Sequence, residues 1–552
     1  MFNMIKFNAL LVAILACLSL ASCFGKTSDW WEDASIYQIY PRSWKDSNGD
    51  GIGDLKGITE KLDYLKEIDI TATWISPFFK SPMADNGYDI TDFYDIDPVF
   101  GTMADFDALM KKAKRLGIKI ILDFVPNHSS SECEWFKKSV NREDGYEDLY
   151  VWADGIVDPS NSSRKLPPST WQSTFGGSMW EWNDKRQQFY LHQFLDSQPD
   201  FNFRNPKVHE IMFDVLKFWL DRGVDGFRID ALKHVYEKVN DDGTFPDFPP
   251  SNDPEDTVNK ANKIYTQNQY ETVELLYSWR KLMDDYKKEH GGDTRILLAE
   301  SYSDIEILDQ YVGNGTHAGA HLPFNFNLNK LDTTSNARFV EEAVNSWMDV
   351  MWKKHKMANW LVGNHDAPRA TDRSGSIKKD LLNILITSLP GVAVTYYGEE
   401  IGMTGLQCQR EECEWSEIRS FGRSPFQWND QLAAGFSNTT ETWLPVVDNY
   451  KAVNVKVERG YARSSLNVFK KLQKLRRTAP FKASKNPNGF SYCALNDQVF
   501  QIIRSSRFDE YRTLINMGNQ TETLTGLGKS PSELANVFKY AIVTSNSPHD
   551  IG

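Results

Sequence analysis

Apolar residues follow two patterns along the chain, and the two patterns alternate. Short apolar runs, too brief for a helix, predict buried strands, and the run at 119–125 is almost entirely apolar, as in a parallel strand covered on both faces. Strands are predicted at 35–40, 72–76, 119–125, 226–230, 295–299, 322–326, 360–362 and 391–397. Apolar residues at helical spacing predict helices at 55–68, 105–116, 207–220 and 465–478.

Strands that alternate with helices form parallel sheets, and eight of them are most simply arranged as a closed (β/α)₈ barrel of the α/β class, a TIM barrel. The stretch 129–200 is polar, rich in Trp, Ser, Pro and Gly, and predicts a loop-rich domain inserted after the third strand. Short strands at 498–504, 511–515 and 537–543 predict a C-terminal antiparallel β domain. We therefore assign 26–128 and 201–480 to the barrel, 129–200 to the insertion, and 481–552 to the C-terminal domain.

The composition limits the kinds of molecule that this protein is expected to bind. A chain of 552 residues suits one large domain with an accessory one. The net charge of −13 argues against nucleic acid or an anionic membrane surface as partner. The 17 Trp, 22 Tyr and 32 Phe fit either a large core or aromatic surfaces that bind sugars, and composition leaves both open.

The first 25 residues predict a secretory signal peptide. Lys6 supplies the positive charge, and the apolar run at 9–20 is too short to span a bilayer. A bacterial lipoprotein box at 20–23 is the alternative. We expect a secreted protein of the gut-lumen or saliva type, a monomer or weak oligomer, with no transmembrane segment in the mature chain and no C-terminal signal for a lipid anchor.

Secretion permits disulfides and glycosylation. Cys408 and Cys413 are near enough in sequence to close a small loop, whereas Cys133 and Cys493 either pair or stay free. Asn127 begins an Asn-x-Ser match inside a motif that we interpret as catalytic, so we do not expect it to carry a glycan. Surface acceptors are expected at Asn161, Asn314, Asn438 and Asn519.

Polar residues follow several of the predicted strands. They are Asp123, Asn127 and His128 after the third strand, Arg228 and Asp230 after the fourth, Glu300 after the fifth, and Asn364, His365 and Asp366 after the seventh. In a parallel barrel these ends meet at one face, where active sites lie. Each acid alone could cap a loop or form an ion pair, but three acids at three strand ends predict a catalytic site.

Arg228 and Asp230 are two residues apart on a strand, so their side chains point to the same face. The positive charge of Arg228 is expected to keep Asp230 ionised at neutral pH, which a carboxylate nucleophile requires. A buried structural ion pair is the alternative interpretation of these two residues.

Two carboxyl groups on either side of a bond are the arrangement that cleaves glycosides. The segments 123–128, 226–230, 298–300 and 364–366 resemble the four signature regions of the α-amylase superfamily, glycoside hydrolase family thirteen. The segment 198–202 resembles the fifth region of its oligo-1,6-glucosidase/α-glucosidase subgroup, and 30–41 and 86–90 are similar to that subgroup too. Within it the chain most resembles the secreted maltases of insects.

The resemblance implies a role for each matching residue. Asp230 would be the nucleophile and Glu300 the general acid/base, while Asp366 would hold the 2- and 3-hydroxyls of the glucose ring. The other implied contacts are hydrogen bonds from His128 and His365 to the first glucose, orientation of Asp230 by Arg228, stacking of Tyr88 on the sugar, and an Asp85–Arg423 pair that closes the pocket.

A closed pocket implies an exo-acting, retaining α-glucosidase with no organic cofactor rather than an endo-acting amylase. In the subgroup that the chain resembles, a small residue at the position of Ala231 goes with α-1,4 bonds and sucrose. The choice between maltose and sucrose is left open, and transglucosylation is an expected side activity. The alternative from another class is a catalytically inactive ectodomain like the heavy chains of amino acid transporters, which lack part of the acid triad.

A second motif predicts a structural calcium ion. Asp46, Asn48, Asp50 and Asp54 place oxygen atoms at alternate positions, as in the first half of a calcium loop. Gly57 stands where an EF-hand has Glu, so the motif is no EF-hand, and an Asn-Gly/Asp-Gly turn is the alternative. The resemblance implies calcium here, with the carbonyl of Ile52 as a further ligand.

Overall fold

Eight parallel strands form the centre of the molecule. The structure, a computed structural model, describes residues 29–247, 264–375, 378–407, 419–482, 489–518 and 520–522. The strands are β1 (Ser35–Ile39), β2 (Ala72–Ile75), β3 (Lys119–Phe124), β4 (Gly226–Ile229), β5 (Ile296–Ala299), β6 (Leu322–Pro323), β7 (Asn359–Trp360) and β8 (Val392–Tyr396). Each pairs in parallel with its neighbour, in the order β6-β5-β4-β3-β2-β1-β8-β7.

The sheet closes on itself through a side chain. β6 and β7, which stand at its two ends, share no backbone ladder within the described chain. Asn359 lies between them: its Oδ1 accepts from the amide of Asn325 at 3.2 Å, and its Nδ2 donates to the carbonyl of Pro323 at 2.5 Å. The predicted (β/α)₈ barrel is therefore confirmed, with an amide side chain completing the ring.

One long helix follows each strand and packs outside it. These helices are α1 (Leu55–Glu67), α2 (Met103–Leu116), α3 (Pro206–Asp221), α4 (Tyr270–His290), α5 (Ile305–Val312), α6 (Ala337–Lys353), α7 (Lys379–Ser388) and α8 (Ser465–Arg476). α2 shows how sequence sets the bounds: Thr102 and Asp105 form a capping box at its start, and Gly117 ends it in the left-handed conformation at φ 72°. Shorter helices lie at Pro41–Trp44, Ala370–Ser374, Val455–Arg459 and Ala479–Lys482.

Two apolar layers hold these elements together. Every residue of β1, β2, β4, β5 and β8 is buried. Alternate residues such as Ile36, Trp74 and Leu298 fill the barrel interior, while their neighbours pack outward on the helices. The interior ends at the carboxyl side of the strands, where polar residues replace apolar ones.

The insertion after β3 contains more regular structure than its sequence predicts. It has a helix at Glu134–Val140, an antiparallel sheet of Trp152–Ala153, Gln188–Leu191 and Trp180–Asn183, and a hairpin of Ile156–Asp158 and Asn161–Leu166. Trp171, Trp180 and Leu191 belong to its small core. Strands of two to six residues are too short for their periodicity to be recognised in sequence.

The C-terminal part forms an antiparallel sheet of β9 (Phe490–Ala494), β10 (Val499–Ser505) and β11 (Glu510–Asn516), as predicted. The domain boundaries given above stay predictions. The signal peptide, Cys408, Cys413, Asn519 and the strand expected at 537–543 lie outside the described residues. None of the helices in the described ranges combines the length and apolarity that a bilayer crossing requires.

Cys133 and Cys493 are free thiols, so the alternative in which they pair is wrong. Asn127 is 1% exposed, which agrees with excluding it as a glycan acceptor. Asn161, Asn314 and Asn438 are exposed, and glycosylation at these positions stays a prediction.

Candidate active site

A cavity of about 500 Å³ opens at the carboxyl ends of the barrel strands. Three elements bring the predicted acids to it: Asp230 follows β4, Glu300 follows β5, and Asp366 follows β7. Asp85, Tyr88, His128 and His365 line the same cavity. Arg228 and Arg423 are each 1% exposed and lie behind its wall. The structure thus brings the predicted catalytic and substrate-binding residues to one place, apart from the predicted calcium loop.

Arg228 joins the candidate catalytic acids. Its Nη1 donates to Oδ1 of Asp230 at 2.5 Å and to Oδ1 of Asp123 at 2.8 Å, and its Nη2 is 3.6 Å from Oε2 of Glu300. The guanidinium lies over the ring of Trp74, 4.8 Å from its centroid. Because one planar group contacts both acids, the carboxyl groups of Asp230 and Glu300 face the same small volume.

The backbone beside Asp230 provides a further contact. Ala231 has φ 49°, in the left-handed region that alanine seldom adopts, and its N–H donates to Oε2 of Glu300 at 2.8 Å. The strained turn therefore points an amide at the proposed acid/base. The sequence suggested only that Ala231 is small.

The expectation that Arg228 alone keeps Asp230 ionised needs correction. Burial raises the pKa of Asp230 well above its ordinary value, and Glu300 and Asp123 raise it further, with Arg228 in opposition. A single guanidinium faces three carboxyl groups, so its charge does not offset all of them. Burial and the neighbouring carboxyl groups therefore favour the protonated form of Asp230 in the free protein.

Asp366 has a different environment. Burial acts to raise its pKa, but His365, Arg419 and Arg423 outweigh burial and hold the pKa well below its ordinary value. Nη2 of Arg419 lies 3.0 Å and Nη2 of Arg423 3.1 Å from its Oδ1, and Nε2 of His365 lies 3.3 Å from its Oδ2. Asp366 is therefore ionised throughout the neutral range.

The predicted Asp85–Arg423 pair is not a direct ion pair within the described residues, although the charge of Arg423 opposes the rise that burial causes in the pKa of Asp85. Arg423 donates from Nε to the carbonyl of His365 at 2.7 Å and pairs with Asp366. Arg419, which sequence analysis missed, pairs with Asp85 at 3.7 Å through one nitrogen while its other terminal nitrogen contacts Asp366. Both arginines lie on one loop, four residues apart, and their spacing alone does not say which of them reaches Asp85.

The two predicted histidines are neutral donors and acceptors. Burial lowers the pKa of His365 well below its ordinary value and lowers that of His128 to about 4. Gln38 Nε2 donates to Nδ1 of His365 at 2.9 Å, so Nε2 of that ring carries the proton and donates to Tyr88 Oη at 2.7 Å. Tyr88 Oη in turn donates to Asp123 at 3.0 Å.

Tyr88 lies in the cavity wall, where its ring stacks on His365 at 5.3 Å between centroids. Gln198 connects two other wall residues, because its amide nitrogen is 3.2 Å from Asp85 Oδ2 and 3.1 Å from His128 Nε2. The segment 198–202, identified as the fifth signature region, therefore contributes directly to the wall.

The outer half of the cavity is aromatic, which the sequence did not predict. Tyr302 and Phe326 stack at 4.0 Å between centroids, and Tyr302 is 46% exposed. On the opposite side Arg419 lies over Phe175, 5.2 Å from its centroid. Phe194 also lines the cavity. These rings come from separate loops, so no spacing in the sequence connects them.

The predicted calcium loop folds as a series of hydrogen-bonded turns. Asp46 Oδ1 accepts from the amides of Asn48 at 3.0 Å and Gly49 at 2.6 Å, and Asp54 caps α1 through the amide of Gly57 at 2.7 Å. The side chains of Asp46, Asn48, Asp50 and Asp54 all carry oxygen atoms, the ligands that calcium prefers. Within the described ranges no group of three or more Asp, Glu, His or Cys is placed to hold a metal. Calcium binding therefore stays a prediction.

Comparisons with known proteins agree with this geometry. Residues 38–483 match the family model of the alpha amylase catalytic domain. The chain is 55% identical over 530 residues to Maltase A2 of Drosophila melanogaster, covering 95% of this chain and 92% of that protein. It is 47% identical over 464 residues to a salivary alpha-glucosidase of Aedes aegypti, covering 81% and 79% of the two chains.

Among solved structures, the alpha-glucosyl transfer enzyme XgtA superposes with a TM-score of 0.77 at 34% identity, covering 89% of this chain and 92% of that one. The barrel, the three acids at its strand ends and the family match lead to one conclusion. The chain belongs to the alpha-amylase family, whose catalytic domain it contains.

Proposed function

We propose that this glycoside hydrolase is a retaining, exo-acting α-glucosidase that removes terminal α-1,4-linked glucose from maltose and short malto-oligosaccharides, and that it also accepts sucrose. The observation that carries the proposal is the contact of one buried arginine, Arg228, with both Asp230 and Glu300 at the wall of a sugar-sized cavity. The names of the insect relatives support the same activity.

The pair supplies both groups that a double displacement needs. Glu300 acts as the general acid and donates a proton to the glycosidic oxygen as the bond to the anomeric carbon breaks. Asp230 bonds to that carbon, with Arg228 and its 2.5 Å contact fixing the attacking carboxylate. Glu300 then removes a proton from water as the water oxygen bonds to the anomeric carbon and the bond to Asp230 breaks, which releases glucose with its configuration retained.

Asp366 supplies fixed negative charge beside the developing oxocarbenium ion. Its low pKa and its two arginine partners keep it ionised and oriented toward the sugar hydroxyls. The Asp85–Arg419–Asp366 connection joins three residues of the cavity wall and closes one end of the cavity, which supports recognition of a chain end. An endo-acting amylase would need that end open.

The inactive-ectodomain alternative is disfavoured. All three acids are present, and all three line the cavity. The aromatic outer half gives a surface for an acceptor sugar in place of water, which supports transglucosylation as a side reaction.

Substitution of the pair tests the assignment. We expect Asp230→Asn and Glu300→Gln each to lower hydrolysis of a nitrophenyl α-glucoside by about 10³-fold or more, with the circular dichroism spectrum unchanged. Asp225→Asn is the matched control, because Asp225 lies at the opposite end of the barrel and pairs with Lys119 at 2.9 Å. An Asp230→Asn protein with wild-type turnover would refute the proposal.

We further propose secretion after removal of residues 1–25, and a structural calcium ion at the Asp46 loop. The apolar run at 9–20 and the salivary relative support the first, and the four oxygen-bearing side chains of the loop support the second. N-terminal sequencing of protein from culture medium tests secretion. For calcium, the melting temperature should fall on chelation in the wild type and change little in Asp46→Asn. Equal melting temperatures with and without a chelator would contradict calcium binding.

A further inference from the structure

The loop that carries Asp366 is fastened to the end of β8 by a buried arginine. Arg369 is 1% exposed and stands at the start of the helix Ala370–Ser374. Its Nη1 donates to the carbonyl of Tyr397 at 2.7 Å. Its guanidinium lies over the rings of Tyr397 and Tyr396, 4.6 Å and 5.0 Å from their centroids. This contact holds one half of the guanidinium.

The other half of the guanidinium group is also buried, but it makes no hydrogen bond within the described residues. Across the described part of the chain, neither Nε nor Nη2 of Arg369 has a hydrogen-bond partner. Buried charged donors are costly unless they are bonded to protein or to internal water. Because they are buried, Nε and Nη2 of Arg369 need a hydrogen-bond partner, and no step of the proposed mechanism supplies one.

An acceptor with the same need lies nearby. Glu399 is 6% exposed, and its Oε2 accepts from the amide of Tyr396 at 3.0 Å. Its Oε1, like Oδ1 of the adjacent Asn383, has no hydrogen-bond partner among the residues described. Asn383 donates from Nδ2 to the carbonyl of Glu399 at 2.9 Å, which fixes the turn Glu399–Ile401.

Gly363 lies on the loop that carries Asp366, and its lack of a side chain lets Oε1 of Glu399 approach that loop. A Cβ atom built on Gly363 would collide with Oε1 of Glu399. The need for glycine here is steric, because Gly363 is not among the residues with positive φ. Arg369 and Glu399 thus reach the two ends of the same loop, and each contributes to the electrostatic environment of the other.

We propose that Arg369 and Glu399 are positioning residues for Asp366, joined through one internal water molecule that accepts from Arg369 and contacts Oε1 of Glu399. A buried water of this kind bonds two to four polar groups that otherwise lack partners. The water-bridged pair, which we name the Asp366 latch, ties the loop after β7 to the turn after β8. The inference rests on the proposed function, because it assigns the latch a part in catalysis.

The latch also responds to pH. Burial raises the pKa of Glu399 to about 8, against the opposing effects of the Tyr396 amide, Arg369 and Arg373. Glu400, on the same turn, raises it too. Ionisation of Glu399 above that pH draws the carboxylate toward Arg369, so the loop of Asp366 shifts and turnover falls. Below that pH, the protonated carboxyl group of Glu399 remains a hydrogen-bond donor to the water.

Three variants test the latch. Arg369→Met removes the donors, and we expect kcat on maltose to fall by about tenfold or more while KM changes by less than about threefold. Glu399→Gln keeps a polar group of the same shape, so kcat at pH 6 should stay within about threefold of wild type, with the alkaline decline of kcat moved to higher pH. Arg504→Met is the control: that arginine is also buried and donates to the carbonyl of Phe481 at 2.7 Å, remote from Asp366.

The control should lower the melting temperature without changing kcat. A high-resolution crystal structure of the wild type should contain the water between Arg369 and Glu399. The latch is overturned if a folded Arg369→Met protein has wild-type kcat, if Glu399→Gln has the wild-type alkaline limb, or if the density shows no water there. Lack of glucosidase activity in the wild type would instead defeat the proposed function, and the crystal structure would still decide whether the bridge exists.

Discussion

Ala231 shows how a single backbone conformation shapes the chemistry of the site. Its left-handed φ of 49° turns the chain away from β4 directly after Asp230, and its N–H then reaches Glu300. A side chain branched at Cβ tolerates this conformation poorly. Residue 231 therefore affects both the fold and the placement of the acid/base.

We predict that Ala231→Val destabilises the protein by about 1–2 kcal/mol and lowers kcat/KM for maltose more than for isomaltose. Urea unfolding gives the first quantity, and parallel kinetics on the two disaccharides give the second. Ala231→Gly, which adopts positive φ freely, should keep wild-type stability to within about 1 kcal/mol. A valine variant with unchanged stability and an unchanged preference between the two sugars would contradict this account.

Arg419 is the residue that most changes the picture of substrate recognition. We expect Arg419→Met to raise KM for maltose by about tenfold or more, because Asp85 loses its ion pair at the closed end of the cavity. Removal of a guanidinium also raises the pKa of Asp366, so the acid limb of kcat/KM should move to higher pH.

Arg186→Met is a suitable control for Arg419→Met. Arg186 is also buried and stacks over Trp152, within the insertion and outside the lining of the cavity. Its kinetics should match those of the wild type. Equal KM values for the Arg419 and Arg186 variants would show that Arg419 does not recognise the chain end.

The acids were predictable from sequence, whereas their partners were not. Asp230, Glu300 and Asp366 each follow a buried strand, and topology alone sends strand ends to one face. Arg419 and the aromatic residues at the cavity mouth lie on loops whose conformations depend on tertiary packing. The resemblance therefore assigned Arg423 rather than Arg419 to Asp85, and spacing gave no indication of Tyr302 or Phe175.

At the scale of elements, long apolar strands were the easiest to predict. The run at 119–125 matches β3 (Lys119–Phe124) almost to its ends, because burial on both faces leaves no polar interruption. The run at 322–326 contracts to β6 (Leu322–Pro323), since Asn325 bonds to the side chain of Asn359 instead of a ladder. Where a side chain replaces backbone pairing, the hydrophobic pattern overestimates strand length.

Two buried glutamates predict how the free energy of unfolding varies with pH. Burial raises the pKa of Glu400 and that of Glu458 to about 7 each, above their ordinary value of 4.5. The stability gained by keeping these groups neutral is complete below about pH 4.5 and is lost as pH rises through 7. Each group contributes at most about 1.4 kcal/mol per pH unit between pH 4.5 and its folded pKa of about 7, and no further change above that pKa.

We therefore expect the free energy of unfolding to fall less steeply with pH in Glu400→Gln than in the wild type between about pH 4.5 and pH 7. Urea unfolding at a series of pH values measures both slopes. Glu400 also accepts from Tyr37 at 2.9 Å and Tyr64 at 2.8 Å, and an amide oxygen can accept the same bonds. Identical slopes for the two proteins would show that Glu400 does not control this dependence.

At the scale of the whole molecule, the barrel and the C-terminal sheet followed from the order of strands and helices. The small sheet within the insertion did not, because strands this short are defined by their partners rather than by their own sequence. Function depends on both kinds of element: the barrel places the acids, and the insertion supplies Phe175, Phe194 and Gln198 to the cavity and its wall.

The proton NMR spectrum of the first glucose released from a nitrophenyl α-glucoside, whose leaving group contributes no second glucose, tests the central claim most directly. A double displacement through Asp230, with Glu300 as acid and then base, releases α-glucose, which afterwards mutarotates. We expect the α-anomer signal to appear first in the wild type and no glucose to form with Asp230→Asn. If β-glucose appears first, the two carboxyl groups act as an inverting pair and the retaining mechanism proposed for this site is wrong.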